Sequence, residues 1–475
     1  MKKIVVLGAG LSGLASAALL AQAGHQVTVL EQGDWIGGKS RRLNLAGQIV
    51  DTGPSLVTFP GVWQKFLDTY KSLGGQVPSA PEFIRLPEVG RYFFQGQEID
   101  IPIPPGHPWY EPWRRFAEEH EPLSDAITKL LTTGPTDTAS LPALAQLLRV
   151  YRSGLTTSSY LAGLKWMPQG LKDLIAIHTL NAGVAPDQTL PIYASMTAIM
   201  AKDGITVPKG GVNELPRLMA KLAEAAGADI RLNTRATRLS KGKVETEDES
   251  FEADAIVSSL DAAVTNQLLT GRQAAAATSR SCSGVAIYAA LSEPLPEGTV
   301  THSVVMPDQP KRLYAALKQN RAPEQTMTFV NYYLPGGIYD NELPTVAVLL
   351  TAPADGAKTD LTTPWVRAEV DRVSKLIGLN KPIDSYFAEH QVLNADYFGS
   401  YGHPLGALYG EKNPMWQSGP FHSPGYRSPL RPWLYRVGAS VHPGGGIPAV
   451  IGGAMNSIAP LIREYPQQKT SARSG

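Results

Sequence analysis

Apolar and polar positions in the first thirty residues predict a strand, a helix and a second strand. Residues 4–7 form a continuous apolar run rich in β-branched side chains, as expected of a strand buried on both faces. Alanine and leucine dominate residues 14–23, which predicts a helix that ends at Gly24. Residues 26–30 predict another strand, and Glu31 follows it directly. This order is typical of an α/β fold with a parallel sheet.

A second group of predicted elements lies in the middle of the chain. Residues 215–226 have a helical period, and residues 230–239 alternate like one continuous strand. A hairpin about Gly242 and an apolar strand at residues 255–257 follow. We therefore predict that the chain enters the α/β sheet again after a domain boundary near residue 205.

A third group lies near the C-terminus. Residues 434–437 predict a strand that ends at Gly438, and residues 449–459 predict a helix. Pro448 falls in the first turn of that helix, where proline is tolerated, whereas Pro460 should end or kink it. A strand that turns through glycines into a helix brings free backbone amides and the positive end of the helix dipole to one point. Such a point suits an electron-rich group.

Composition places the chain among globular proteins of more than one domain. Of its 475 residues, 43% are hydrophobic and 18% are charged, which predicts a large core divided between about two or three domains. The 43 basic and 42 acidic side chains nearly cancel, so we expect no nucleic-acid partner. The single cysteine, Cys282, excludes an internal disulfide and a cysteine zinc site. These counts favour a cytosolic, metal-free protein in which Cys282 is a small buried hydrophobe.

The N-terminus resembles a secretion signal only in outline. Lys2 and Lys3 precede an apolar stretch, but glycines at a fixed spacing interrupt it, and nothing after Gly24 resembles a cleavage site. We therefore predict that the segment stays in the mature protein. Elsewhere no apolar run reaches the roughly 18 residues that a membrane-spanning helix needs.

Three glycines between the first predicted strand and helix carry the first chemical signal. Gly8 allows a tight turn, Gly10 lets the backbone approach a pyrophosphate, and Gly13 lets the helix pack closely on the strand. The helix N-terminus, at Leu11 and Ser12, then faces the phosphates.

An acidic residue completes the fingerprint. Glu31 lies 18 residues after Gly13, where it can accept hydrogen bonds from ribose hydroxyls and would repel a 2′-phosphate. Glycines, flanking elements and acidic residue together predict a dinucleotide site, but they do not separate NAD from FAD.

The residues after Glu31 separate these two cofactors. The stretch QGDWIGGKSRR contains Gly37, Gly38 and Lys39 and resembles the FAD-binding amine oxidase and phytoene desaturase superfamily, which implies bound FAD. Arginine usually follows the glycine pair there. Lys39 keeps the positive charge near the pyrophosphate but loses the bidentate fork. The resemblance continues in VDTGPSLVT, which contains Asp51, Gly53, Pro54 and Ser55.

The C-terminal stretch LYRVGASVHPGGGIPAV narrows the resemblance. It is similar to the bacterial-type phytoene desaturase family, the carotenoid desaturases, and amine oxidases generally lack its HPGxGxP pattern. The resemblance implies that the helix N-terminus faces the pyrimidine edge of the isoalloxazine ring. Because Ala439 stands where many related flavoproteins have an acidic residue, we expect backbone amides to hold the ribityl chain. The further cofactor contacts that it implies are Ala236, in place of a usual valine, and Ser259, Gly438, Ala439, Gly446, Ile447 and Val450.

The same resemblance implies a discontinuous fold. A Rossmann-like FAD-binding domain with a parallel sheet, helices and a hairpin would consist of residues 1–60, 205–265 and 430–466. An inserted α+β substrate domain would consist of residues 61–204 and 266–429, with a helical cap at about 107–204. Residues 467–475 predict a disordered tail.

The implied activity is FAD-dependent desaturation of an acyclic C40 carotenoid. PLGALYG at 404–410 and GASVHPG at 438–444 look more like desaturases that act at the 3,4 end of 1-hydroxy carotenoids, with phytoene or neurosporene desaturation next. Two other hypotheses stay open. One is an oxidase of the amine oxidase type, and the other is a non-redox isomerase or prenyl carrier with structural FAD. The motifs leave the oligomeric state unknown.

No paired carboxylates, Ser/His/Asp order or metal-ligand spacing indicates a catalytic side chain. His442, in the HPG motif, is a weak candidate acid or base, because ordering of the glycine turn explains its position better. His178, His403 and Tyr193 are candidates for the cavity wall, with packing as the alternative.

Residues 138–172 predict contact with a membrane surface. Because a C40 polyene is insoluble in water, an entrance at the bilayer favours peripheral association with the inner face of the cell membrane. The alternative is a solvated helical cap with its aromatic side chains in the core. The segment has no acidic residue and carries Arg149, Arg152, Lys165 and Lys172, interleaved with Tyr151, Tyr160 and Trp166.

Overall fold

The computed structural model describes residues 1–87, 89–272, 280–412 and 417–464, so the predicted tail lies outside the described residues. The strands of this part are, in chain order, β1 (Lys3–Leu7), β2 (Gln26–Leu30), β3 (Arg42–Leu45), β4 (Gln48–Asp51), β5 (Phe83–Arg85), β6 (Gly90–Phe94), β7 (Gln97–Ile101), β8 (Thr206–Pro208), β9 (Asp229–Arg231), β10 (Ala236–Ser240), β11 (Lys243–Thr246), β12 (Ser250–Glu252), β13 (Ala255–Ser258), β14 (Ser283–Leu291), β15 (His302–Val305), β16 (Thr328–Tyr333), β17 (Thr345–Ala352), β18 (Phe387–Leu393), β19 (Arg427–Ser428) and β20 (Arg431–Arg436). The α-helices are α1 (Leu11–Gln22), α2 (Pro60–Ser72), α3 (Tyr110–His120), α4 (Ser124–Leu131), α5 (Leu141–Tyr151), α6 (Thr157–Gly163), α7 (Gln169–Ala176), α8 (Met196–Asp203), α9 (Glu214–Ala225), α10 (Ala262–Thr270), α11 (Pro310–Lys318), α12 (Pro364–Leu376), α13 (Ala395–Gly399) and α14 (Ile447–Glu464).

Three distant chain segments form the first sheet. Within the described residues it has six strands in the order β19-β20-β13-β1-β2-β9, and all neighbours are parallel except β19 and β20. Helix α1 packs on β1, β2 and β13 and lies between α9 and α14. The strands β10 to β12 form a separate antiparallel sheet, whose Leu239 and Val244 pack with Val5 and Leu7 of β1. The predicted α/β class with a parallel sheet and a hairpin is therefore confirmed.

A second, mainly antiparallel sheet follows from the inserted segments. In the described part of the chain its order is β18-β14-β17-β16-β15-β6-β7, and β15 with β6 is its parallel pair. Helix α12 packs on one face of this sheet through Val366, Val370 and Val373. The helices α3 to α8 follow one another in the sequence between Tyr110 and Asp203. This arrangement agrees with an inserted α+β unit and a helical cap, although the boundaries of the two domains remain a prediction.

The prediction of one continuous strand at residues 230–239 is wrong. The segment divides into β9 and β10, which belong to different sheets. Between them Asn233 takes a positive φ of 52°, and its amide donates to the carbonyl of Gly33 at 2.9 Å. The amide of Thr234 donates to the carbonyl of Glu31 at 2.8 Å. These bonds to the loop after β2 turn the chain, and alternation along the sequence cannot reveal them.

Pro460 does not end the last helix, which continues to Glu464. Proline removes one backbone donor from the helix. The buried side chains of Ile458 and Leu461 lie on either side of it in the main core, so tertiary packing offsets that loss.

Gly13 sets the distance between α1 and β1. A Cβ atom at this position would lie 2.0 Å from the carbonyl oxygen of Gly8. A side chain there would have to displace backbone, which is much less compliant than a flexible side chain. Gly10, at the start of the same helix, has no atom other than its chain neighbours within 4 Å of the Cβ position.

We predict that Gly13→Ala lowers the free energy of unfolding by about 2 kcal/mol or more, because the new methyl group overpacks the contact with Gly8. Urea unfolding of the apoprotein measures the change. Gly10→Ala is the matched control, and we expect it to cost less than about 1 kcal/mol. Equal losses in the two variants would contradict the proposed role of the Gly13 contact.

Candidate functional site

The predicted site residues converge on one large cavity. Its volume is about 1490 Å³, whereas ligand pockets usually measure about 300–1,000 Å³. There is therefore room for a dinucleotide and a second large molecule. Gly13 is the exception among the predicted residues, because it stands behind the wall against Gly8. The wall contains Gly8, Gly10, Leu11, Ser12, Glu31, Gly37, Gly38, Lys39, Gly53, Pro54, Ser55, Ala236, Ser259, Gly438, Ala439, Gly446, Ile447 and Val450.

Two helix N-termini meet at this wall. Neither α1 nor α14 has an acidic residue in its first turn, so the partial positive charge of their free amides is not neutralised. At Gly10 and Gly446 no atom other than chain neighbours lies within 4 Å of the ideal Cβ position. The backbone is thus open to a ligand at both points, which fits an anionic pyrophosphate and an electron-rich ring.

Glu31 is fixed at the end of β2 by the glycine turn. Its Oε2 accepts a hydrogen bond from the amide of Ala9 at 2.8 Å, and its Oε1 accepts one from the amide of Gly33 at 2.8 Å. A carboxylate has about four acceptor positions, so lone pairs remain for a ligand in the cavity. This geometry is what recognition of a ribose hydroxyl pair requires.

Lys39 belongs to a polar cluster that sequence reasoning missed. Its Nζ donates to the carbonyl of Leu408, and burial lowers its pKa to about 8 against the attraction of Asp261. Asp261 accepts hydrogen bonds from the Nδ1 of His403 at 3.0 Å and from the Oγ of Ser440 at 3.3 Å.

The charge of this cluster follows from its burial. Burial alone would raise the pKa of Asp261, but the hydrogen bond from His403 holds it below its ordinary value. Burial lowers the pKa of His403, so a neutral ring donates to a carboxylate. Asp261 therefore supplies a negative charge beside Ser440. The neighbouring residue, Ala439, stands where many related flavoproteins have an acidic side chain. The order of Asp261, His403 and Lys39 in the sequence gave no sign of this proximity.

Two side chains of the second sheet hold the loop at residues 53–55. The hydroxyl of Tyr288 on β14 accepts from the amide of Gly53 at 2.9 Å, and Asn331 Nδ2 on β16 donates to Ser55 Oγ at 2.9 Å. Each is a polar residue inside an otherwise apolar strand. This exception to the pattern was the feature of the sequence that could have indicated a role in the site. The loop that carries predicted cofactor residues is thus fixed by the second sheet.

The candidate catalytic and wall residues also face the cavity. His178, His403, Tyr193 and His442 all line it, as does the buried Cys282. Burial lowers the pKa of His442 to about 4 and raises that of the Cys282 thiol to about 12. His442 is therefore neutral near pH 7, and its role in the glycine turn remains a prediction.

The two tyrosines of the predicted membrane segment, Tyr151 and Tyr160, face inward rather than outward. Tyr160 OH lies 2.7 Å from His120 Nε2, and the Nδ1 of that ring lies 2.6 Å from Ser195 Oγ, which also contacts Tyr151 OH. Trp166 lies under the guanidinium of Arg115. Buried aromatics with polar tips need such partners, so this part of the prediction is corrected.

Exposed leucines replace those aromatics at the surface. Leu141, Leu144 and Leu148 follow one another along α5 at helical spacing, and Leu155 lies just beyond. Leu144, Leu148 and Leu155 also line the cavity, so its mouth opens between exposed apolar side chains. The spacing of these leucines was visible in the sequence, but a buried stripe of Ala143, Leu147 and Tyr151 on the same helix made it ambiguous.

A glycine-rich site of the kind that binds dinucleotides lies at the end of the parallel sheet and opens into the large cavity. The open glycines, the free helix N-termini and Glu31 fit FAD. A family model for flavin containing amine oxidoreductases matches residues 11–347. The chain belongs to this family and is an FAD-dependent oxidoreductase.

Relatives of established name include carotenoid enzymes. Over 94% of this chain and 96% of the relative, the sequence is 25% identical to a 1-hydroxycarotenoid 3,4-desaturase of Flavobacterium sp. (strain P99-3). It is 30% identical to a phytoene dehydrogenase of Streptomyces griseus over 56% of this chain and 55% of that protein. Cyclohexylamine oxidase from Brevibacterium oxydans IH-35A shares the fold, with a TM-score of 0.63 and 15% identity over 98% of this chain and 99% of that one.

No helix in the described part of the chain combines the length and the hydrophobicity of a membrane span.

We predict that the affinity of the apoprotein for FAD falls as the pH rises through about 8. Above that pH Lys39 is uncharged, so binding of a pyrophosphate at its predicted place beside this side chain must draw in a proton. The dissociation constant should rise by up to about tenfold per pH unit, as measured by flavin fluorescence quenching. The neighbouring Asp261 and His403 have lowered pKa values and do not titrate in this range.

Lys39→Arg is the control for this pH dependence. Arginine stays charged, so its affinity for FAD should not change near pH 8. If wild type and variant lose affinity in parallel, Lys39 is not the titrating group.

Proposed function

We propose that this enzyme is a carotenoid desaturase that introduces C=C bonds into an acyclic C40 carotenoid. The observation that carries the proposal is the apolar continuation of the cavity beyond the predicted cofactor residues. Phe329 and Leu349 line it from the second sheet, with Met327 directly before β16, and Ile127 and Leu147 line it from the helical region. A long hydrocarbon buried there needs no polar partner along most of its length.

The distribution of charge favours a hydrocarbon over an amine. The carboxylates on the wall, among the described residues, are Glu31, Asp261 and Glu411. Glu31 and Asp261 are bonded within the cofactor region, and Glu411 is exposed. The described residues of 53–200 and 281–351 contribute no carboxylate to the wall. A buried alkylammonium without a counter-ion is costly, so this cavity suits an uncharged substrate.

Within this activity we propose 3,4-desaturation of a 1-hydroxy carotenoid, ahead of phytoene or neurosporene desaturation. The PLGALYG and GASVHPG stretches and the Flavobacterium relative support the proposal. Bound FAD supplies the acceptor for a hydride. The chain's own residues exclude water, hold the polyene and fix the loop at 53–55 through Tyr288 and Asn331. Loss of a proton from a delocalised allylic cation needs only a weak base or water.

We predict that expression in a host that makes lycopene or its hydroxylated derivative produces a more unsaturated pigment, because desaturation takes a hydride and a proton from adjacent carbons for each new double bond. Pigment chromatography and a red shift of the polyene spectrum measure this outcome. Under anaerobic conditions the same polyene should bleach the flavin of the purified enzyme. Unchanged pigments in every such host would rule out desaturation, and a change of double-bond geometry alone would indicate an isomerase.

We also propose that the mouth of the cavity docks on an anionic bilayer. Leu141, Leu148 and Leu155 are exposed there, and the exposed cations Arg149 and Arg152 lie beside them. Apolar side chains enter the acyl boundary while cations meet anionic headgroups. A substrate that is insoluble in water would then pass from the lipid into the cavity without crossing solvent.

We predict that Leu148→Glu with Leu155→Glu lowers binding to anionic liposomes at least about tenfold, because two apolar anchors become charged. A flotation assay measures the bound fraction. Leu430→Glu is the matched control, since Leu430 is 91% exposed, against 68% for Leu148 and 76% for Leu155, but does not line the cavity. An equal loss in the control would show that general surface charge, not this mouth, governs binding.

A further inference from the structure

His302 carries a free ring nitrogen inside the apolar part of the cavity. The residue is 5% exposed, lines the cavity and pairs across the second sheet with Asn331. Its Nδ1 lies 2.5 Å from Asn331 Oδ1, and Asn331 Nδ2 donates to Ser55 Oγ. Its Nε2 has no hydrogen-bond partner among the described residues, and surrounding protein atoms do not cover it completely.

The hydrogen-bond chain fixes the tautomer of His302. Asn331 uses its amide nitrogen on Ser55, so its oxygen faces the ring and accepts from Nδ1–H. Burial lowers the pKa of His302 to about 4, so the ring is neutral near pH 7. A neutral imidazole with hydrogen on Nδ1 has a lone pair on Nε2. That atom is therefore a hydrogen-bond acceptor that opens on the cavity.

Neighbouring groups do not satisfy this acceptor. The ring of Phe329 stacks on His302 with centroids 5.3 Å apart. The nearby His178 is bonded to Tyr92 OH at 2.7 Å through its Nε2, and its Nδ1 lies 3.3 Å from Asn181 Nδ2. Burial holds His178 neutral and raises the pKa of Tyr92, so neither changes charge near pH 7. A buried acceptor without a donor costs free energy, which a ligand that brings a donor recovers.

The donor must be uncharged, because no carboxylate of the described residues lines this part of the cavity. We propose that His302 Nε2 accepts a hydrogen bond from a hydroxyl group at the end of the polyene and so selects hydroxylated over hydrocarbon substrates. The inference rests on the proposed function and adds to it a specificity-determining residue. Ser55 lies at the other end of the hydrogen-bond chain that runs from His302 through Asn331, and it belongs to the loop predicted to contact FAD.

Binding to the holoenzyme with its flavin reduced beforehand tests the proposal without turnover. The probes are an acyclic carotenoid with a terminal tertiary hydroxyl and the same carotenoid without it, both in detergent micelles. Tryptophan fluorescence quenching gives the two dissociation constants. We expect the wild type to bind the hydroxylated probe about tenfold or more tightly than the other.

Three variants identify the residue responsible. His302→Phe keeps a planar ring without an acceptor and should bind the two probes equally. His302→Gln offers an amide oxygen and should keep part of the preference, so it carries the test if the phenylalanine variant does not fold. Tyr193→Phe removes a different hydroxyl of the wall and should keep the full preference. The flavin spectrum and thermal unfolding of each variant report its integrity.

The outcomes separate this inference from the proposed function. Equal binding of both probes by the wild type overturns the role of His302 but leaves carotenoid desaturation in place. A preference that survives in His302→Phe, or that His302→Gln keeps in full when the other variant does not fold, likewise overturns it. Failure of the wild type to bind either probe overturns the proposed function and this inference together. A preference lost in His302→Phe and kept in Tyr193→Phe supports it.

Discussion

The close contact of Gly8 with Gly13 is the constraint on which the rest of the site depends. It brings the N-terminus of α1 directly onto the end of β1, with no space for a side chain between them. The hydroxyl of Ser259, at the end of β13, donates to the carbonyls of Leu7 at 2.8 Å and Gly8 at 3.1 Å. Two parallel strands and a helix are thereby fixed at one edge of the sheet, where ligands of such sheets bind.

The second sheet completes the site from the opposite side. Tyr288 and Asn331 bond to the loop at residues 53–55, so this short loop, which carries predicted cofactor residues, is attached to the second sheet. The large cavity lies along this junction and connects the open glycines with the exposed leucines of α5. A cofactor and an apolar substrate can therefore meet inside one enclosed space. Exclusion of water from such a space strengthens every polar interaction that remains in it.

Features set by neighbouring residues could be predicted from the sequence. The turn at Gly8, the strand before it and the helix after it depend on local backbone preferences, and all of them were found. Features set by distant residues could not. The single strand predicted at 230–239 is divided because bonds to Gly33 and Glu31 turn the chain. Tyr151 and Tyr160 face inward because their hydroxyls bond to Ser195 and His120, which lie far away in sequence.

The sequence by itself determined the glycine fingerprint, the acidic residue at the end of β2 and the α/β class, and its resemblance to known flavoproteins implied the FAD-binding family. The first three depend on backbone conformation and on short spacings, which amino-acid identity specifies directly. Only the tertiary structure decided that Lys39, Asp261 and His403 form one cluster, that the mouth is lined with leucine, and that the Nε2 of His302 stays free. Burial and hydrogen-bond partners fix the charge and availability of such groups, and both arise only when distant segments pack together.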